Sequence, residues 1–444
     1  MHNYVALTKT KMRTKSQDKT TAISFKNKLQ DLGIADIVKS TGFEQRQAKK
    51  INGLNLILSF FGCCAGNSFS LSLWALSLGE MTRETVSKQA ISARLNDSFV
   101  KVVFELLNKC FAECVNQKGK MVLERFKNVY LHDSSCISLP DSLKDVFKGN
   151  FSRGEIKAIA KLQIVFNLNR GSLKSFELGC FSKNDQAAAK DILPFLKKGD
   201  LVLRDLGYFV INVLHSINVK GADFISRLRT DVNIYECKTG KQICLKSLLK
   251  NKTFVKKKVL IGSKEKMKVT LMAIKTSDDI KQFRKLKAFQ DRDKRKVVTI
   301  EKLKLLGWDI FVSSVEDLTG QEIKDIYRLR WQIEILFKAW KSHLRIERNM
   351  SPHLKNPQLP TAIIYLSLLV VVLLIMPVYA IYLCAKKKTI TKKISLLKLT
   401  KLLAMKLSNE NCEMNTYTIE NITYHSRYEK RARDNFEDKF SKLT

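Results

Sequence analysis

At about residue 128 the spacing of apolar residues changes from three and four to two, and this break limits the fold more than any single motif. Before it, from about 23 to 118, apolar side chains recur at helical spacing in FKNKLQDLGIADIVKSTGF, INGLNLILSFFG and DSFVKVVFELLNKCFAECV. After it come short β-rich runs: NVYLHDSS, then IAKLQIVFNLN (159–169) and SLKSFELGCFS (172–182), the last two joined at Arg170-Gly171. DQAAAKDILPFLK reads as a helix, DLVLRD (200–205) as a buried strand, YFVINVLHSI as a helix and ADFISRLR as a strand. Three strands, helix, strand, helix, strand is an α/β order with a mixed sheet, preceded here by a helical unit.

Residues 231–300 interrupt that order with KQICLKSLLK, TFVKKKVLIG and KVTLMAIKT, read as short β-like runs. From 241 to 300 there are 19 Lys and Arg against 5 acids, so this insert is the most basic part of the chain. WDIFVSSV (308–315) returns to a strand, and the tail from 386 is basic and helical in pattern. Residues 1–22 read as a flexible basic arm with no apolar run behind it, which excludes a secretory signal there.

One segment competes with a globular reading. AIIYLSLLVVVLLIMPVYAIYLCA (362–385), followed by Lys386, Lys387 and Lys388, has the length and apolarity of a membrane span. It contains Pro377, follows Pro360 and is the only such run, so a buried core helix or a pair of them is the favoured reading. The ten cysteines include no CxxC pair, which argues against a zinc site and for buried thiols in a reducing cytoplasm.

The chain carries 79 basic and 42 acidic residues, a net charge of +37. Such a charge draws a protein to phosphate, with nucleic acid the leading partner and an anionic membrane surface the second. It says nothing of sequence specificity or catalysis. Within the helical unit, LSLGEMTRETVSKQAISARLN has the pattern helix, turn, second helix, with Ser87, Lys88, Gln89, Ser92 and Arg94 on the second helix's exposed surface. That composition suits a major-groove recognition helix; a plain helical bundle is the alternative.

The helix YRLRWQIEILFKAWK (327–341) places Tyr327, Arg330, Glu334 and Lys341 in one stripe about 60° wide, opposite Ile326, Leu329, Ile333, Leu336, Phe337, Trp340 and Leu344. The pattern predicts a helix that packs with the apolar face and displays the other. Ordinary surface ion pairs, such as Glu334 with Lys338, would account for the stripe equally well.

Two carboxylates alter that balance. Asp133 closes NVYLH and Asp205 closes DLVLR, each at the end of an expected buried strand, where ligands bind in α/β folds. With Glu334 on a helix packed on the same sheet, three acids could converge. They would repel unless cations joined them, so the natural occupant is one or two Mg2+ ions. In a basic protein this suggests two-metal phosphoryl transfer, with ions about 3.5–4 Å apart stabilising the attacking and leaving oxygens.

The spacing Y-x2-R-x3-E-x6-K of Tyr327, Arg330, Glu334 and Lys341 resembles the signature of DDE transposases of insertion sequence family four, and all four fixed positions match. YLHDSS and LRDLGYF resemble that family's first and second aspartate motifs, and GADFISRLR the strand after the second; the resemblance covers roughly residues 25–345. The position after Asp205 is Leu206, where many relatives carry Arg. The resemblance implies an RNase H-like mixed-sheet catalytic core, built from 125–230 and 305–350, with Asp133, Asp205 and Glu334 as catalytic residues and ligands of two Mg2+ ions, for which Mn2+ can substitute. The family's β-rich insertion would be 231–304, the helical DNA-binding domain 23–120, and 351–444 a helical C-terminal region, a candidate for dimerisation. Tyr327, Arg330 and Lys341 would hold DNA phosphate, with Trp331, Lys338, Lys88 and Arg94 as further DNA-facing residues. Trp308 would stack on a base flipped from the duplex, its alternative being a strand Trp packed in the core.

The expected function is a cut-and-paste transposase. It would bind terminal inverted repeats and target DNA, cleave, open and close hairpins and transfer strands, as a synaptic homodimer on the nucleoid in the cytoplasm. A metal-dependent nuclease without strand transfer is the rival within the same chemistry. A basic DNA-binding or membrane-anchored protein without catalysis is the rival outside it.

Overall fold

The structure, a computed structural model, describes residues 25–46, 51–64, 69–114, 124–152, 154–169, 172–290, 299–330, 358–375, 398–399, 402 and 416–427. The helical unit comprises α1 (Phe25–Asp31), α2 (Ile34–Ser40), α3 (Gly53–Cys64), α4 (Leu71–Thr82), α5 (Lys88–Arg94) and α6 (Asp97–Cys114). Its core holds Leu29, Leu56, Phe60, Trp74, Leu78 and Phe99, all without solvent exposure. The Trp74 indole N–H donates to Ser59 Oγ at 2.9 Å, so the largest ring is buried with its polar atom satisfied.

The expected helix-turn-helix segment forms α4 and α5. Arg83 ends α4 in the left-handed region, and the Ser87 side chain caps α5 by accepting from the Ala90 N–H. Ser87 is therefore the N-cap of α5 and is exposed, as expected. Lys88 and Gln89 are exposed, whereas Ser92 and Arg94 are half-buried and the Arg94 guanidinium lies 5.7 Å from the Phe43 ring centroid.

The α/β unit contains, among the described residues, ten strands: β1 (Val129–Ser138), β2 (Lys148–Ser152), β3 (Glu155–Asn167), β4 (Ser172–Cys180), β5 (Leu201–Arg204), β6 (Asp223–Arg227), β7 (Ile234–Glu236), β8 (Phe254–Ile261), β9 (Met267–Lys275) and β10 (Trp308–Ser313). They form one sheet in the order β2-β3-β1-β5-β6-β10-β9-β8-β7, with β4 also paired to β3. From β4 through β3 to β1 the strands are antiparallel, β1, β5 and β6 are mutually parallel, and from β10 to β7 they are antiparallel again. All four residues of β5 are buried, as a central parallel strand covered on both faces requires.

The inserted strands prolong the core sheet: β10 pairs with β6 and carries β9, β8 and β7 outward. Two expectations are corrected here. KQICLKSLLK is not strand-like; Leu245, Leu248 and Leu249 stand at helical spacing in α9 (Leu245–Leu249), which buries Leu245 and Leu249. The insert also contains α10 (Asp278–Phe289), none of whose residues is buried, and α11 (Ile300–Leu305) follows it. DQAAAKDILPFLK is α-helical only over α7 (Asp185–Ala188) and continues as a 3-10 helix (Ala189–Phe195), in keeping with Pro194, which lacks an N–H and crowds the preceding turn.

Two layers cover the sheet. One face carries Leu131, Leu203, Ile225 and Phe311, joined in a single apolar cluster with the N-terminal helices, α12 (Gly320–Arg328) and α13 (Gln358–Val370). The other carries Tyr130, Val202, Phe224, Ile310 and Val312, packed with α8 (Ile211–Val219) and α9. The helix α13, with the π turn Val371–Ile375 that continues it, is the described part of the apolar run at 362–385. It is buried in the first layer, and the Tyr365 hydroxyl donates to the Phe176 carbonyl of β4. Among the described residues no helix is long and apolar enough to cross a membrane; 376–385 lie outside them. A last helix, α14, spans Thr416–His425.

Candidate active site

The site is fixed by one register. In the parallel pair β1–β5, Val129 stands beside Leu201, Tyr130 beside Val202 and Leu131 beside Leu203, a constant offset of 72 residues. Asp133 and Asp205 are separated by the same 72, and Asp205 keeps an extended backbone (φ −80°, ψ 164°) just past β5. Side chains alternate along a strand, so both carboxylates continue the face of Leu131 and Leu203, level with each other on strands about 4.8 Å apart. Asp133 is half-buried and accepts from the Ser134 N–H at 2.9 Å; the Asp205 side chain is 38% exposed. The pair opens at the carboxyl end of the parallel strands, beneath α12.

A capping box starts α12: the Thr319 side chain accepts from the Glu322 N–H, and the Glu322 carboxylate accepts from the Thr319 N–H at 2.8 Å. Ile323, Ile326 and Tyr327 are buried on the sheet, with the Tyr327 ring 5.1 Å from Phe311. The Tyr327 hydroxyl donates to the carbonyl of Arg204, the last residue of β5, at 3.1 Å. Burial pushes this phenol up to about 12, so it is a donor at neutral pH. Arg330 is 8% exposed and its Nη2 lies 3.5 Å from Asp205 Oδ1.

This reverses one expectation. Tyr327 and Arg330 were expected on a displayed stripe, yet both are buried, because the stripe meets the polar end of the sheet, where Tyr327 finds a carbonyl and Arg330 a carboxylate. The structure thus brings Asp133, Asp205, Tyr327 and Arg330 together. Glu334, Lys341, Trp331 and Lys338 lie outside the described residues. Trp308 is not brought to the group: it opens β10 in phase with Ile310 and Val312 and packs, partly buried, against the core on the opposite face. Lys88 and Arg94 sit on α5 in the helical unit.

Sequence reading missed a second set of residues, on the far face directly behind the acids. His132 and Arg204, one residue before each aspartate and in the same register, are both fully buried, with Arg204 Nη1 3.2 Å from His132 Nδ1. Arg204 Nη2 donates to the Ala189 carbonyl at 2.8 Å, and the His132 ring stacks on Tyr208 with centroids 4.1 Å apart. The Tyr208 hydroxyl donates to Gln163 Oε1 at 2.5 Å. Below them, Asp185 accepts from Ser134 Oγ and Lys161 Nζ, both at 2.7 Å. Burial, then the neighbouring Arg204, holds His132 well below the usual imidazole range, so it is neutral; burial brings the Arg204 guanidinium down to about 10, still charged at neutral pH. The available signal was the pair of dipeptides His-Asp and Arg-Asp at equal phase on two strands.

Two level carboxylates suit a hard divalent cation and the neighbouring buried guanidinium suits phosphate, an arrangement whose chemistry suits phosphoryl transfer. Among the described residues no third His, Cys, Asp or Glu completes a metal-holding group. Comparison with known proteins agrees with this class. Residues 124–356 match the transposase DDE domain family. The chain is 26% identical over 339 residues to the transposase of insertion sequence element IS231B from Bacillus thuringiensis subsp. berliner, covering 70% of each chain. It is 26% identical over 346 residues to that of IS1151 from Clostridium perfringens, covering 71% of this chain and 72% of that one. Likeness to the piggyBac transposase in its synaptic complex with hairpin DNA is slight, at 12% identity and a TM-score of 0.37 over 90% of this chain and 84% of that one, too low to argue from. The chain belongs to the transposase DDE domain family and is an enzyme that acts on DNA, a class that depends on divalent metal.

Proposed function

We propose that the protein is a cut-and-paste transposase of insertion sequence family four, with Asp133, Asp205 and Glu334 as its catalytic acids in an RNase H-like core. The observation that carries this reading is the shared register of Asp133 and Asp205. The order β4-β3-β1-β5-β6, antiparallel in its first two pairings and parallel in its last two, supports the assignment of the core. On this reading the units are a basic arm (1–22), a helical DNA-binding domain (23–120), the core (125–230 and 305–350), the basic insertion (231–304) and the C-terminal region (351–444). The working form is a homodimer that holds two terminal inverted repeats.

Asp133 and Asp205 supply hard oxygen donors from two rigid strands, and with Glu334 they would hold two Mg2+ ions, or Mn2+ in their place. When bound, those ions stabilise charge on the attacking and leaving oxygens at phosphorus. Arg330, buried beside Asp205, is placed to hold a phosphate oxygen by paired N–H bonds. Lys341, Lys338 and Trp331 carry the rest of the proposed DNA contact. Tyr327, its hydroxyl already bonded to the Arg204 carbonyl, holds the helix on the strand end. Lys88 stands exposed at the start of α5 for DNA, whereas Arg94 and Trp308 are partly packed.

The test is cleavage and joining of a duplex carrying the element's own terminal repeats. Glu334→Gln and Asp205→Asn should abolish cleavage and spare end binding in a mobility-shift assay; retained cleavage would remove these acids from the site. Supplying pre-cleaved ends separates transposase from nuclease, since only the former joins a 3′-hydroxyl to target DNA.

A further inference from the structure

On the reading that Asp133 and Asp205 hold divalent metal, the structure assigns His132 and Arg204 as positioning residues, a buried pair that sets the lateral spacing of the two carboxylates from the far face of the sheet. Each stands one residue before its aspartate, and the offset of 72 that levels the acids levels this pair behind them. The contact between them, Nη1 to Nδ1 at 3.2 Å, is a side-chain tie across β1 and β5 at the point where the backbone ladder between those strands has ended.

The tie is held at both ends. Arg204 is anchored by its donation to the Ala189 carbonyl, and its own carbonyl accepts from Tyr327. His132 is held by the stacked Tyr208 ring, which Gln163 fixes in turn. Tyr208 belongs to the turn that follows Asp205, and its N–H donates to the Asp205 carbonyl at 3.1 Å. Asp205 is thus held on both sides, by Arg204 before it and Tyr208 after it, and both holds meet at His132.

Stability alone does not explain the pair. Among the described residues no carboxylate forms an ion pair with Arg204, and replacing buried charge by apolar side chains of like volume commonly costs a fold nothing. A hydrogen-bonded pair supplies what an aliphatic pair cannot, a directional contact of fixed length. Carboxylates that would hold divalent cations need that, because such groups must be placed to within about 0.5 Å.

The experiment uses the full chain bound to a pre-cleaved terminal-repeat duplex, with Mn2+ binding followed by electron paramagnetic resonance and folding by thermal melting. His132→Phe keeps a ring against Tyr208 and loses Nδ1. Its half-saturating Mn2+ should rise about tenfold, as when an outer partner of a metal ligand is removed. The Mg2+ concentration for half-maximal joining of the pre-cleaved ends to target DNA should rise in step, with a much smaller change in rate at saturating metal. His132→Asn offers Oδ1 near the place of Nδ1 and should recover most of the loss. An unchanged Mn2+ curve in folded His132→Phe, or equal loss in both variants, overturns the assignment. Should His132→Phe not fold, Arg204→Lys takes its place with the same expected shift and the same overturning result. Asp133→Asn and Asp205→Asn run alongside: if they keep Mn2+ binding, the metal reading itself fails, whereas loss there with normal binding in His132→Phe removes only the positioning role.

Discussion

The two faces of the sheet where the pairing of β1 with β5 ends differ by one step along the chain and do opposite things. Asp133 and Asp205 face the layer of α12, partly exposed, two like charges side by side. His132 and Arg204 face the other layer with no exposure, tied to each other, to Tyr208 and to the Ala189 carbonyl. The two carboxylates stand side by side on the partly exposed face with Arg330 beside Asp205, an arrangement whose chemistry suits a divalent cation. The opposite side is closed to solvent and tied by hydrogen bonds. Because side chains alternate strictly along a strand, the dipeptides His-Asp and Arg-Asp place a buried polar residue behind each carboxylate.

The largest expected effects break this comparison along the line between activity and stability. Asp133→Asn should lower cleavage by more than about 10^3-fold, the scale of removing one member of a catalytic set. The same change should leave unfolding free energy within about 0.5 kcal/mol of the parent, since the carboxamide still accepts from the Ser134 N–H. Arg204→Ala should do the reverse in stability: it removes a fully buried side chain with two hydrogen bonds and leaves His132 Nδ1 and the Ala189 carbonyl without it, at a cost of about 3–5 kcal/mol. Equal destabilisation by the two variants in urea unfolding would erase the distinction between the faces.

A smaller effect probes how closely the buried side is packed. A Cβ on Gly207 would lie 2.8 Å from Asp185 Oδ2, the carboxylate that accepts from Ser134 and pairs with Lys161. Gly207→Ala should therefore cost about 1–3 kcal/mol by overpacking, measured by the same unfolding. An unperturbed Ala variant would show that Asp185 can swing away without loss.

How much of this was legible in the sequence follows from which interactions set each part. The change of apolar period at about 128 marks the passage from α6 to β1, and the run ending at Asp205 is β5, because burial on two faces leaves a continuous apolar signature, whereas β1 runs on past Asp133 to Ser138 along β3. Leu245–Leu249 was misread as strand because five residues carry too little period to separate a helical turn from an extended run. The place of β7–β9 was not legible either, since edge pairing depends on which strand lies next in space, here β10, not on spacing within the insert. At the site, the residue types at 133 and 205 announced themselves as charges closing apolar runs. His132 and Arg204 did not, because inside an apolar run a buried basic residue is indistinguishable from a surface one until its partner strand is known.

Tyr327→Phe gives the smallest expected effect and the sharpest question, because this side chain joins the two faces. Its ring packs on Phe311 in the layer of the acids, while its hydroxyl donates to the carbonyl of Arg204, whose side chain belongs to the other layer. Phe keeps the ring contact and loses one neutral hydrogen bond, worth about 0.5–1.5 kcal/mol. The low end is expected, because that carbonyl also accepts from Ser226 Oγ at 3.4 Å. If the hydroxyl holds the strand end, the loss appears in unfolding, and end-binding affinity keeps its dependence on salt. If instead it leaves the carbonyl for a DNA phosphate, unfolding of the free protein shows the same small loss and end binding weakens as well. Neutral donors to phosphate release no counterion, so the salt slope stays put in either case and the affinity alone discriminates. An unchanged affinity assigns Tyr327 to the sheet; a several-fold weaker one gives it back to the DNA.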